Sequence, residues 1–301
     1  MSSSDEDDGP QLPLPPYVPG FSIYIKNHQA PEPFGPDYGW TPRPAVQIDR
    51  DRQWEMDREE FALNHPPIET KPPEGGSIGT SFTITDTKTL HRRGGPQVVV
   101  GYLGQDQTTK YILKIFDSVY YRLVEKGTEY DCTLWADKDY ATEFWAYSAM
   151  METEALRGMV PDFYGGFTTS LNTRFPGRQR SVRSILLEYI PGENMMTKIS
   201  RSLDSNGVLQ AKLLPPESQR LEVLRQIMTI RETLYFDGAI SHRDIYPRNI
   251  VIQENNDGNV RVAFVDFNRA LIYRPIESVW PFLPFGCSLA KPAGGGDIWG
   301  Q

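Results

Sequence analysis

Short runs of alternating apolar and polar residues dominate the first two thirds of the chain. Four of them are FSIYI, TSFTITDTKTL, PQVVVGYLG and KYILKIFD, and turn-forming residues separate the last three. Two later runs, DFYGGFTTSL and SVRSILLEYI, flank the basic loop NTRFPGRQR. Runs of this length and composition predict β-strands, and the short turns predict an antiparallel meander from Ser77 onward.

Two longer segments have helical spacing instead. The first is DKDYATEFWAYSAMMETEAL, whose large apolar residues fall on one stripe: Tyr140, Phe144, Tyr147 and Met151. The second is PPESQRLEVLRQIMTIRETLYFDG, where a common side is formed by Leu221, Leu224, Met228 and Leu234. Each stripe predicts an amphipathic helix whose apolar side faces the core.

The order of these elements predicts an α+β protein. A β-rich part that contains one helix precedes an α-rich part, and the runs NIVIQ and VRVAFVDF, joined through Asp-Gly, then predict a hairpin. The chain divides into an acidic, Pro-rich and disordered tail (1–20), a Pro-rich extension packed on the domain (21–76), a β-rich lobe (77–190) and a smaller α-helical lobe (191–301). A cleft between two lobes is a common place for a ligand.

Charge and cysteine content narrow the classes of function. The net charge is −8 over 301 residues, and four acidic residues lie within the first eight. Such a chain lacks the basic field of a general nucleic-acid binder. Cys132 and Cys287 form neither a disulfide framework nor a metal-ligand spacing. Without a long apolar run or a basic, apolar N-terminus, we expect no membrane partner and a cytoplasmic or nuclear location.

Two motifs bring polar residues together near the end of the chain. HRDIYPRN (242–249) contains Asp244 and Asn249, and VDFN (265–268) contains Asp266 at the end of an apolar run. Carboxylate and amide oxygens are hard ligands suited to Mg²⁺, which typically takes one or two protein groups and completes its shell with phosphates and water.

These motifs resemble those of the protein-kinase-like superfamily. HRDIYPRN is similar to its catalytic loop, VDFN to its D-F-G, YILKIF to its lysine-bearing strand and LLEYI to its hinge. The chain looks like the divergent kinase-like proteins of fungi over residues 77–275. The resemblance implies a two-lobed fold, with a β-rich N-lobe and a reduced α-helical C-lobe, and ATP- and Mg²⁺-dependent phosphoryl transfer to a protein or small-molecule hydroxyl.

The resemblance also assigns roles to particular residues. Asp244 would orient the acceptor hydroxyl, Asn249 and Asp266 would hold Mg²⁺, and Lys114 would bind ATP phosphates while paired with Glu143. Further contacts to the nucleotide or its transferring phosphate are expected from Glu188, Ile190, Gly94, Gly95 and Arg248.

Each role has a structural alternative. Asp244 could cap a turn, Asn249 could brace its loop, and Lys114 could face solvent. Glu152 competes with Glu143 as the partner of the lysine. Arg248 could be a surface arginine, and His242 is expected to pack the loop rather than react.

Departures from the family pattern leave three functions open. The glycine-rich loop is replaced by TKTLHRRGGPQVVV, where Arg92 or Arg93 could supply charge, and Asn268 stands in place of the D-F-G glycine. No A-P-E motif follows Asp266. The alternatives to a protein kinase are therefore an inactive nucleotide-binding scaffold and a small-molecule kinase of the aminoglycoside-phosphotransferase type, although the latter usually has glycine where Arg243 stands.

Overall fold

The computed structural model describes the chain from residue 15 to residue 273 with internal gaps. The described ranges are 15–48, 56–71, 79–90, 94–122, 130–203, 206–208, 210, 214–255 and 258–273. The predictions for the first fourteen residues of the acidic tail, for Arg92 and Arg93, for Cys287 and for the segment after residue 273 lie outside these ranges.

A closed barrel of six antiparallel strands forms the main sheet, with neighbours in the order β1-β2-β3-β4-β6-β5. The strands are β1 Ser22–Asn27, β2 Gly79–Thr89, β3 Gln97–Leu103, β4 Lys110–Phe116, β5 Phe163–Asn172 and β6 Gln179–Glu188. Alternate side chains of these strands join one buried apolar cluster, which includes Ile25, Phe82, Val99, Leu113 and Leu186. This cluster fills the barrel, as expected when every second side chain points inward.

Strand β1 closes the barrel and comes from the segment expected to be a packed extension. Lys26 pairs with Gly79 of β2 on one side and with Thr168 of β5 on the other. The single strand thereby satisfies two sheet edges, which would otherwise expose unpaired backbone donors and acceptors.

The predicted two-lobed kinase-like fold is wrong. Strands and helices are both present, but the described residues form a closed six-stranded antiparallel barrel accompanied by four helices. In the described part of residues 191–273, one short strand, two consecutive helices and four further short strands follow one another, so the expected α-helical C-lobe is not observed there. The prediction failed because strand patterns do not reveal which strand pairs with which edge.

The structure also describes four helices and five short strands outside the barrel. The helices are α1 Arg58–Asn64, α2 Cys132–Met151, α3 Met195–Arg201 and α4 Glu217–Phe236. Strands β7 Glu193–Asn194, β9 Ile250–Glu254 and β10 Val260–Phe264 form a small sheet in the order β10-β9-β7, and β8 Ile240–Ser241 pairs with β11 Leu271–Ile272. Among the described helices, none has the length and apolar character needed to cross a membrane.

Helix α2 is the central helix and is buried on most sides. Its cap, Asp131, accepts hydrogen bonds from Thr133 N and Leu134 N and is held by both terminal nitrogens of Arg43 at 2.7 and 2.9 Å. Tyr140 and Tyr147 are fully buried, as the predicted stripe requires. The fourth residue of the predicted stripe was wrong: Met150 is buried, whereas the predicted Met151 is only partly buried.

Helix α4 buries a different face from the one predicted. Leu221, Leu224 and Met228 are 58%, 51% and 62% exposed, whereas Ile230 and the predicted Leu234 are buried. The helix carries two apolar stripes, and periodicity alone cannot say which stripe meets the core. The buried one packs toward β10 and β8.

We expect Ile230→Ala to lower the free energy of unfolding by about 2 to 4 kcal/mol, because it leaves a cavity in the core. Met228→Ala removes a similarly large side chain from the exposed face of the same helix and serves as the control, with an expected change within about 0.5 kcal/mol. Urea denaturation of both variants measures the difference. Equal losses would mean that the α4 face at Met228 is also buried.

Candidate active site

Lys114 lies in the middle of β4 with its side chain outside the barrel. Its neighbours Leu113 and Ile115 point into the barrel interior, while Phe116 packs with the aromatic residues of α2. Lys114 is only 5% exposed. The expected alternative, a lysine facing solvent, does not apply.

Two carboxylates share the ammonium group of Lys114. The Nζ atom donates to Glu143 Oε2 at 2.5 Å and to Asp266 Oδ1 at 2.6 Å. The structure thus pairs the lysine with Glu143 of α2 rather than with Glu152, which lies at the exposed end of that helix. Three residues that are far apart in the sequence form one charged cluster.

Glu143 is fully buried and links the lysine to the segment after Asp266. Its second oxygen, Oε1, accepts a hydrogen bond from Phe267 N at 3.4 Å. Burial raises the pKa of the Glu143 carboxyl to about 7, and the charge of Lys114 opposes that rise.

Asp266 follows β10 and adopts a left-handed backbone with φ 68°. Burial disfavours its charge, but the charge and hydrogen bond of Lys114 prevail and lower the pKa of the carboxyl. Burial likewise works against the charged form of Lys114, and the two carboxylates together raise the pKa of its ammonium group. Lys114 therefore carries a full positive charge at neutral pH.

A second cluster forms around Asp244. Arg248 Nη2 donates to both carboxylate oxygens at 2.9 and 2.8 Å, and Asn249 Nδ2 donates to Oδ2 at 3.0 Å and to the Asp244 carbonyl at 2.9 Å. The guanidinium of Arg248 also stacks over the ring of Tyr246, with its carbon 4.6 Å from the centroid. Arg248 is an exposed arginine, with its side chain 52% exposed, and it pairs with the buried Asp244.

Two hydrogen bonds join this loop to the strand that leads into Asp266. Asn249 accepts from Val265 N through its carbonyl at 3.0 Å, and His242 Nε2 lies 3.0 Å from the Val265 carbonyl. The Nδ1 atom of His242 is 3.3 Å from Asp244 N, so a neutral ring that donates from Nε2 fits both contacts. Burial lowers the pKa of His242, which agrees with the predicted packing role.

The predicted nucleotide contacts at the hinge have other partners. The Glu188 carboxylate pairs with Arg261 at 2.6 and 2.9 Å, and the Glu188 N–H donates to the Asp162 carbonyl. Ile190 is buried, and its carbonyl accepts from Gly192 N. The side chain of Glu188 therefore anchors β10 to β6.

The backbone N–H groups of Gly94 and Gly95 also have hydrogen-bond partners within the protein. Both backbone N–H groups donate to the carbonyl of Tyr120, at 3.0 and 3.4 Å. These donors are the groups that a phosphate-binding loop would present to its ligand. In this conformation both N–H groups donate to the protein's own backbone instead.

The donor set fits a magnesium ion held with phosphates. Within the described residues, no group of three or more His, Cys, Asp or Glu side chains gathers as a metal cage. Lys114 donates to the Oδ1 atom of Asp266, and the Asp266 side chain is 33% exposed. The Asn249 amide donates through Nδ2 to Asp244, so the amide oxygen of Asn249 points away from that carboxylate. One carboxylate oxygen and one amide oxygen match the sparse protein ligation that Mg²⁺ prefers.

A cavity of about 250 Å³ lies elsewhere, between α3, α4 and β9. Its walls are mainly apolar and include Met195, Ile199, Val223, Leu224 and Ile252. None of the predicted site residues lines it, so the cavity and the charged clusters are separate features.

Sequence reasoning missed two residues next to the site, Asp37 and Tyr38. Asp37 Oδ2 is 2.7 Å from Arg243 Nη1, and the Tyr38 hydroxyl bonds to the backbone of Ala270 and Ile272. The only signal available was the Gly-Pro-Asp-Tyr-Gly stretch (35–39), which predicts a turn but does not say what the turn contacts.

The chain matches no protein-family model and no curated protein.

We expect Lys114→Met to lower the free energy of unfolding by about 3 to 5 kcal/mol at pH 8, because it leaves Glu143 buried without its cation. Removal of Lys114 raises the folded-state pKa of Glu143 further above its unfolded value. Below the wild-type folded pKa of about 7, Glu143 is protonated in both folded proteins, so its part of the penalty should be absent at pH 5 and should grow as the pH rises above 7. Denaturant titrations at pH 5 and pH 8 measure it.

Lys110→Met is the matched control, since Lys110 is an exposed lysine on the same strand. It should change stability by less than about 0.5 kcal/mol at either pH. A loss for Lys114→Met that is the same at pH 5 and pH 8 would contradict a buried, lysine-dependent Glu143.

Proposed function

We propose that this protein is an ATP- and Mg²⁺-dependent phosphotransferase that acts on a hydroxyl group. The observation that carries the proposal is the buried Lys114 held between Glu143 and Asp266, beside a loop that presents Asp244. Phosphoryl transfer needs a positioned cation, a metal-binding carboxylate and a group that orients the acceptor, and these residues supply each of them.

Lys114 is the cation for the phosphates. Its pKa is raised, so it stays charged, and Glu143 fixes the ammonium group from the α2 side. When a nucleotide is present, Lys114 would keep Glu143 and exchange its bond to Asp266 for one to a phosphate oxygen. A buried ammonium group interacts more strongly with phosphate than an exposed one, because water screens it less.

Asp266 and Asn249 would hold the metal ion, which neutralises phosphate charge when bound. The described geometry supports this because one backbone hydrogen bond links the two segments: Val265, which precedes Asp266, donates to the Asn249 carbonyl. Once Glu143 is ionised, the three carboxylates of Asp244, Asp266 and Glu143 outnumber the cations of Lys114 and Arg248 by one, which favours binding of a metal cation.

Asp244 would orient the acceptor hydroxyl and take its proton. It is buried, and the hydrogen bonds from Arg248 and Asn249 fix its carboxylate plane. A base held in this way costs little reorganisation at the moment of transfer. The acceptor would be a protein serine, threonine or tyrosine, or the hydroxyl of a small molecule.

A nucleotide-binding scaffold without transfer activity is the second candidate. The bonds from Gly94 and Gly95 to Tyr120 favour it, because phosphate then lacks the backbone donors that such loops usually supply. The two candidates differ in turnover but agree in metal-dependent ATP binding.

Calorimetric titration of Mg·ATP into the wild type should give saturable binding that disappears when EDTA removes the metal. Asp266→Asn should weaken binding at least tenfold, because it removes the charged metal ligand. Asp106→Asn makes the same change on the exposed turn between β3 and β4 and should bind like the wild type. A folded wild type that does not bind Mg·ATP would refute the phosphotransferase and the scaffold together.

Asp244→Asn should keep Mg·ATP binding and lower the rate of phosphate transfer by about 10² to 10⁴, the usual contribution of a general base. The assay follows radioactive γ-phosphate into a protein mixture and, separately, into a panel of small hydroxyl compounds. Transfer in one panel identifies the acceptor class. Binding without transfer in either panel would favour the scaffold.

A further inference from the structure

Residues 35–40 form a tight turn of defined shape. A 3-10 helix, Pro36–Tyr38, is flanked by Gly35 (φ 119°) and Gly39 (φ 72°), both in backbone conformations that favour glycine. Gly35 and Trp40 pair across the turn, with Gly35 N donating to the Trp40 carbonyl at 2.8 Å. The segment before α1 therefore contains a fixed structure.

The turn is anchored to the helix that carries Glu143. Phe34 is fully buried in a small apolar cluster with Leu134 and Ala141 of α2, and its ring centroid lies 5.9 Å from that of Trp40. A Cβ atom on Gly35 would lie only 3.2 Å from the hydroxyl of Tyr130. Any movement of the turn relative to α2 would disturb this packing.

Two side chains reach from the turn to the other half of the site. Asp37 binds Arg243, which immediately precedes Asp244 and has a left-handed backbone with φ 61°. A left-handed arginine is a conformation that only surrounding contacts can maintain. Asp37 supplies one of these contacts to the loop that presents Asp244.

Tyr38 holds the chain that follows Asp266. Its hydroxyl donates to the Ala270 carbonyl at 3.3 Å and accepts from Ile272 N at 3.4 Å. Burial raises the pKa of Tyr38 to about 12, so the hydroxyl keeps the proton that it donates at neutral pH. Strand β11, which contains Ile272, pairs with β8 just before His242.

We propose that Asp37 and Tyr38 are positioning residues, which hold Asp244 and Asp266 in register with Glu143. The turn bridges α2, the Asp244 loop and the segment after Asp266, and these three elements carry the site residues other than Lys114, which lies on β4. The inference rests on the proposed phosphotransferase function for its catalytic meaning, whereas its structural part can be tested alone.

The Asp37–Arg243 ion pair and the hydrogen bonds of the Tyr38 hydroxyl should affect the local opening of the two segments more than the free energy of global unfolding. Arg243 and Asp37 have side chains that are 43% and 47% exposed, and ion pairs of that exposure contribute little to folding. Amide hydrogen exchange, read by mass spectrometry on peptides that cover 240–250 and 267–273, reports the opening of these two segments without any nucleotide.

Asp37→Lys should speed exchange in the 240–250 peptide about three- to tenfold, because it places two cations together. Tyr38→Phe should do the same in the 267–273 peptide, because it removes a hydroxyl with two backbone partners. Asp37→Lys combined with Arg243→Glu restores opposite charges and should return exchange toward the wild-type rate. Glu154→Gln, which removes an exposed carboxylate from the remote pair with Arg157, should leave both peptides unchanged.

If both peptides exchange at the wild-type rate in Asp37→Lys and in Tyr38→Phe, the inference is overturned. If transfer activity is found, Asp37→Lys should also lower kcat several-fold with little change in KM for ATP, because Asp244 acts in the transfer step. Tyr38→Phe should lower kcat and also raise KM for Mg·ATP, because it releases the segment that follows the metal-binding Asp266. An effect of Asp37→Lys on KM alone would also contradict a positioning role. If neither the wild type nor any variant transfers phosphate, the proposed phosphotransferase function fails. The hydrogen-exchange measurement still decides whether the turn holds the two segments.

Discussion

One buried lysine between two carboxylates constrains the rest of this structure. Lys114 can remain charged inside the protein only if Glu143 and Asp266 reach it together, and these come from a helix and from the segment after a hairpin. An unpaired charge in that position would be very costly, so α2 and the segment after β10 must stay against β4. The same requirement produces the polar geometry on which the proposed phosphoryl transfer rests.

The N-terminal segment contributes to this arrangement at several levels. Strand β1 closes the barrel that carries Lys114, and Arg43 holds the cap of α2 through Asp131. The turn with Asp37 and Tyr38 then reaches the opposite side of the site. Residues that look like a Pro-rich extension in the sequence thus support all three parts of the site.

Local patterns predicted individual elements well and their arrangement poorly. The strands that became β1 to β6, the helices α2 and α4, and the hairpin of β9 and β10 all follow from period and turn chemistry. The closure of the barrel did not, because pairing of β1 with β5 joins residues about 140 positions apart and leaves no local mark. The buried face of α4 was also predicted wrongly. Leu221 and Ile230 lie on stripes of similar apolar character, so the local pattern does not show which stripe packs against the core.

The sequence by itself pointed to Lys114, Asp244, Asn249 and Asp266 as candidate site residues, through the resemblance of the motifs that contain them. Tertiary structure alone decided that Glu143 rather than Glu152 meets the lysine, that Glu188 binds Arg261, and that the donors of Gly94 and Gly95 serve Tyr120. Residue type sets what a side chain can bind. Its actual partner depends on which distant elements the packed core brings within hydrogen-bond distance, and that is a property of the whole fold.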